Sequence, residues 1–147
     1  MGKEGGNDST GYLLAQVCKL SRDHARVLMG GIGLYCGQGV ALQQLWHKDG
    51  ITQSELAHGL RVAPATVTIS LQRMEKLGLI ERRPDPHDQR GSRVFLTEKG
   101  RSFRERVEGN WHKLEGQALA GFTEGDRALL RQLLLRIRDN LGQTKIQ

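Results

Sequence analysis

The chain has 147 residues, 37% of them hydrophobic and 26% charged, with a formal net charge of +6 and an isoelectric point near 9.7. That length suits one domain with a core of its own, and the basic balance favours a polyanionic partner, nucleic acid before a membrane surface. The two cysteines, Cys18 and Cys36, lack CxxC spacing, which argues against a secreted disulfide scaffold, and no apolar run approaches the roughly 20 residues that span a bilayer. The polar, glycine-rich stretch Met1–Thr10 reads as a disordered tail, neither signal peptide nor amphipathic anchor. A cytoplasmic protein with no membrane partner is the expectation.

From about Gly11 the pattern is helical. Leu13, Val17, Leu20 and His24 form one stripe and Leu14, Cys18, Ser21, Ala25 and Leu28 a second beside it. So wide an apolar face is buried on more than one side, and in a chain this small the second side fits another subunit. Glycines at 30, 31 and 33 end this helix. A second helix is predicted over Gly37–His47 with Val40, Ala41, Leu45 and Trp46 inward. Thr52-Gln53-Ser54-Glu55 is a capping box opening a short helix with Leu56 and Ala57. Pro64 suits the first position of the next helix, which runs through Val67, Leu71 and Met74 to a stop at Gly78. Leu79–Arg83 and Arg93–Leu96 alternate as paired strands do, joined by a turn over Pro84–Ser92. Thr97 then caps a long helix with Phe103, Val107, Trp111, Leu114 and Ala118 inward. Thr123–Asp126 opens a last helix with Leu130, Leu133, Leu134, Ile137 and Leu141 on one side.

Two short helices joined by a tight turn and followed by a hairpin describe a winged helix-turn-helix, in a mainly α fold whose β content is a small two- or three-stranded wing. The runs Thr52–Ala57, Pro64–Thr68 and Arg73–Ile80, with the wing Asp88-Gln89-Arg90-Gly91-Ser92-Arg93-Val94-Phe95-Leu96-Thr97 before Glu98-Lys99-Gly100, resemble the MarR family of transcriptional regulators. The resemblance implies a single MarR-type domain over 11–147. Its winged lobe would occupy about 37–97, flanked by dimerisation helices at about 11–30 and 98–142.

It further implies that the helix from Pro64 enters the major groove of double-stranded DNA, with Pro64, Ala65, Thr66, Thr68, Ile69, Gln72 and Arg73 at the groove-facing positions. Threonine hydroxyls can reach phosphates or base edges, and the Ala65 and Ile69 methyls can touch thymine. Gln72 can read adenine, and Arg73 can pair with guanine or a phosphate. Arg90 takes the wing position that enters the minor groove, and Asp88 would hold its guanidinium. The other wing arginines, Arg82, Arg83 and Arg93, are expected at the DNA as well. The implied function is a homodimeric repressor on a pseudo-palindromic operator, released by a small-molecule effector, with no catalytic, cofactor or metal site.

The chain departs from the family's pattern at three places. Arg61 stands in the turn where glycine is common, and Gly59 comes earlier, inside the helix. Ala63 replaces the usual hydroxyl N-cap, a loss of about 1 kcal/mol. Gly39 takes a position where an aromatic often lines the ligand pocket. Two other readings start from the same residues. One is a thiol-based redox sensor, for which Cys18 reads as a packed small hydrophobe and Cys36, in a glycine-rich loop, as the more exposed thiol. The other is a winged helix used only for protein–protein contact. A peroxide-consuming enzyme would need turnover at Cys36, and nothing else in the sequence points to one. His24, His47, His58, His87 and His112 show no HxxxH or HxH pairing.

Overall fold

The computed structural model describes Ser9–Thr144, so the tail expected over Met1–Thr10 lies outside the described residues except at its end. There Ser9 is already an N-cap, its hydroxyl accepting from the Tyr12 amide, and α1 spans Thr10–Gly30. It is followed by α2 (Cys36–His47), β1 (Ile51–Thr52), α3 (Gln53–Leu60), α4 (Pro64–Lys76), β2 (Ile80–Asp85), β3 (Asp88–Leu96), α5 (Glu98–Ser102), α6 (Arg104–Ala118) and α7 (Glu124–Gln143). The helix expected to run unbroken from Thr97 is divided at Phe103. The chain forms two compact units, one reaching His112 and the other beginning at Lys113.

In the first unit one apolar core joins α2, α3, α4 and the sheet. Leu42, Leu45, Leu56, Leu71, Met74, Leu79, Val94 and Val107 are fully buried at its centre. The periodicity of α4 explains its part, since Val67, Leu71 and Met74 sit four and three residues apart on one face. In α2 the buried face is Ala41, Leu42 and Leu45, whereas Val40 is only half-buried. The sheet is three-stranded and antiparallel in the order β1-β3-β2. β1 pairs Ile51 with Val94 and Thr52 with Arg93. The peptide that begins α3 is thereby hydrogen-bonded into the base of the wing.

Behind the sheet, Gly100 packs so close to the chain that a Cβ there would lie 2.1 Å from the Leu79 carbonyl oxygen. The Trp46 indole donates to the Gly100 carbonyl oxygen at 3.2 Å. Gly39 is buried, and an added Cβ would meet the Met29 sulfur at 3.1 Å. The space above that helix position is filled by a thioether reaching over from α1.

Most of α1 lies outside this core. Only Ala25 and Met29 are buried, while Leu13, Val17 and Leu20 are 45%, 56% and 58% exposed. The second unit leaves apolar surface bare in the same way, with no residue of α7 buried and Leu129, Leu133, Leu134 and Leu141 exposed. At the start of α7 the Thr123 hydroxyl accepts from the Asp126 amide while the Asp126 carboxylate accepts from the Thr123 amide, the reciprocal cap expected from the sequence.

Candidate nucleic-acid interface

The turn between α3 and α4 sets the pose of α4. Thr52 caps α3 by accepting from the Glu55 amide at 3.0 Å. Arg61 ends α3 in the left-handed region, φ 56° and ψ 41°, a conformation that disfavours a side chain with a Cβ. Glycine is common at this turn for that reason, and the turn forms here despite its absence. At the next boundary Ala63 has cap geometry but offers no side-chain acceptor. Ala63→Ser is expected to stabilise the protein by about 0.5–2 kcal/mol, read as a rise in melting temperature. An unchanged or lower value would show that the α4 amides gain nothing from a cap.

With Val67, Leu71 and Met74 turned to the core, α4 presents Pro64, Ala65, Thr66, Ile69, Gln72 and Arg73 to solvent. Ile69 is 54% exposed, an apolar group that the core does not claim. Thr68 stands apart from this set. It is half-buried, its hydroxyl donates to the Pro64 carbonyl oxygen at 3.0 Å, and the Gln53 amide nitrogen donates to it at 2.7 Å.

The wing differs from the expected open turn over Pro84–Ser92. Pairing continues outward through Arg83–Arg93 and Pro84–Ser92, then jumps to Asp85–Asp88. Gln89, Arg90 and Gly91 are therefore looped out of the ladder between those two pairs. The structure presents Arg90 on a strand bulge, a device that re-aims a side chain. Asp88 holds this bulge through the backbone, its carboxylate accepting from the Arg90 amide at 3.0 Å. The expected contact with the Arg90 guanidinium is replaced by this one.

Asp85 braces the next layer, accepting from the His87 amide at 3.0 Å and from the Arg93 guanidinium at 3.3 Å. The His87 amide first, and Arg93 with it, hold the Asp85 carboxyl below the usual carboxylate range. Arg93 also donates to the Gly50 carbonyl oxygen at 2.8 Å. Arg82 is paired with Glu75 of α4, and Arg83 lies over the Phe95 ring, 4.4 Å from its centroid, while pairing with Glu81. Three of the four wing arginines are thus used within the fold. Among the described residues, Arg90 is the wing arginine without an ion-pair partner.

Arg90, Gly91 and Ser92 of the wing face Gln53 and Ser54 of α3 and Pro64 of α4 across an open cleft of about 320 Å³. A second, shallower recess of about 220 Å³ lies between the start of α2 and α4, lined by Tyr35, Gly37, Gln38, Thr66, Ile69, Ser70 and Arg73. The cysteines reverse the order expected from the sequence. Cys18 is exposed, whereas Cys36 is partly buried in the first turn of α2. Burial pushes the Cys36 thiol up, away from the reactive thiolate.

A capped helix, a tight turn, a second helix with its polar side bare and a wing beside it define the class of winged helix-turn-helix regulators. The model of the MarR family matches residues 34–92. Over 143 residues the chain is 30% identical to the HTH-type transcriptional regulator YdgJ of Bacillus subtilis, covering 90% of this chain and 87% of that one. A probable transcriptional regulator from Pseudomonas aeruginosa superposes with a TM-score of 0.80 at 30% identity, over 89% of this chain and 98% of its own. A MarR protein from Peptoclostridium difficile superposes at 0.82 and 25% identity, over 96% of this chain and 92% of its own. The chain belongs to the MarR family of helix-turn-helix transcriptional regulators.

Proposed function

We propose that the protein is a homodimeric repressor of transcription that binds a pseudo-palindromic operator in double-stranded DNA and is released by a small-molecule effector. The observation that carries this reading is the distribution of wing charge. Arg82, Arg83 and Arg93 pair within the fold, while Arg90 is looped out beside the exposed face of α4. An unpaired guanidinium next to Pro64, Ala65, Thr66, Ile69, Gln72 and Arg73 suits a phosphate-lined partner better than a protein one. Two α4 helices in a dimer would read half-sites about one helical turn apart, roughly 10 bp. An effector that alters their spacing need supply only about 1–3 kcal/mol of coupling. On this reading the protein works in the cytoplasm.

The test is enrichment of duplexes from a randomised pool, followed by a salt titration of binding. Affinity is expected to fall linearly with salt on logarithmic axes, with a slope that counts the phosphate contacts. A winged helix serving only protein contacts would enrich no sequence and show no such slope.

A further inference from the structure

We propose that Gln53 is the positioning residue of this interface, tying the wing to α4, and that Thr68 in consequence offers DNA its methyl group and no hydrogen-bond donor. The inference rests on the DNA-binding reading above and concerns how the two reading elements are held in register. Gln53 is the first residue of α3, directly after the β1 pair Thr52–Arg93. From there its amide spans the cleft. The carbonyl oxygen accepts from the Ser92 hydroxyl of β3 at 3.0 Å, and the nitrogen donates to the Thr68 hydroxyl of α4 at 2.7 Å. The Thr68 hydroxyl in turn donates to the Pro64 carbonyl oxygen at 3.0 Å. All three side chains are half-buried, so these bonds are shielded in part from competition by water.

Two consequences follow from the chemistry of the groups. A hydroxyl has one proton, and that of Thr68 is committed to Pro64, so Thr68 cannot donate to a phosphate or a purine nitrogen. Its methyl remains available to the thymine C5-methyl group. Ser92 directly follows the bulge in the chain, and its pair with Pro84 is the ladder rung next to it. Fixing Ser92 through Gln53 therefore fixes where the bulge stands relative to the first turn of α4. On a duplex the spacing between adjacent grooves is set by the DNA, so a loosened wing loses contacts even though no contacting residue has changed.

The experiment measures binding to a duplex enriched from a randomised pool by the parent protein, for Gln53→Ala, Ser92→Ala and the double variant, with folding checked by melting. Each single variant is expected to lose about three- to tenfold in affinity, the scale of one neutral hydrogen bond. The double variant should lose no more than the larger single loss, since one bridge is broken either way. The Arg90→Ala loss should also shrink in the Gln53→Ala background, which a merely structural role for Gln53 would not produce. Thr68→Val should match Gln53→Ala in affinity and keep the parent's preferred sequence. Parent-like binding by Gln53→Ala, additive losses in the double variant, or a new base preference in Thr68→Val would each overturn the inference. A parent that enriches no duplex would instead overturn the DNA-binding reading, and this inference with it.

Discussion

Leu20→Glu in α1, or Leu134→Glu in α7, is expected to convert the protein into a monomer at micromolar concentration and to abolish high-affinity operator binding. Leu20 is 58% and Leu134 49% exposed, and each belongs to a row of apolar residues that its own unit does not cover. Exposed apolar rows of this kind mark an interface. A two-fold dimer presents the same patch twice, so one substitution places two carboxylates in it. An uncompensated buried charge costs about 3–5 kcal/mol, and a two-fold interface would incur it twice. The core around Leu42, Leu56 and Met74 does not include Leu20, and Leu134 belongs to the second unit, so that core should stay folded. Sedimentation velocity at several concentrations reads the outcome; an unshifted dimer in both variants would rule these faces out as the interface.

Arg90→Ala is the second large effect. It sits on a bulge, and among the described residues its side chain has no ion-pair partner, so removing it should leave the melting temperature unchanged. A narrow minor groove concentrates negative potential and attracts an inserted arginine. Binding should weaken by about 1–3 kcal/mol per site, with the salt slope falling by about one per lost contact. Asp88→Ala should weaken binding less, because it frees only the hydrogen bond to the Arg90 amide. Equal binding by Arg90→Ala and parent across a salt titration would mean that the wing does not reach the DNA.

The helices were legible because their apolar residues recur at helical spacing, and Thr52 and Thr123 announced their helix starts. The wing was less so. Pro84 and Gly91 read as turn residues, yet Pro84 is tolerated because β2 is an edge strand, and Gly91 belongs to a bulge. Periodicity also cannot separate a face that meets the core from one that meets a partner. Cys18 sits on an apolar stripe, a pattern that predicts packing, yet it is exposed, as are Val17 and Leu20 beside it. Gln53 and Ser92 lie inside the capping box and the wing motif, but their bond spans 39 positions, a pairing that no local pattern announces. Arg90 stood out by its spacing from Asp88, although the role inferred for that aspartate moved from the guanidinium to the backbone.

Arg61 has a consequence for how such a regulator changes over generations. A non-glycine residue in the left-handed region costs about 1–2 kcal/mol, and the uncapped Ala63 lies two positions further on. The turn between α3 and α4 is thus held in a state short of its attainable stability. A lineage that acquired glycine at 61 or serine at 63 would gain tolerance for destabilising changes on the adjoining helix, where Thr66, Ile69, Gln72 and Arg73 face outward. Most substitutions destabilise, and those that fall below a threshold are lost. The strained turn is therefore an evolutionary reserve, placed beside the residues that, on the proposed function, would set the choice of operator.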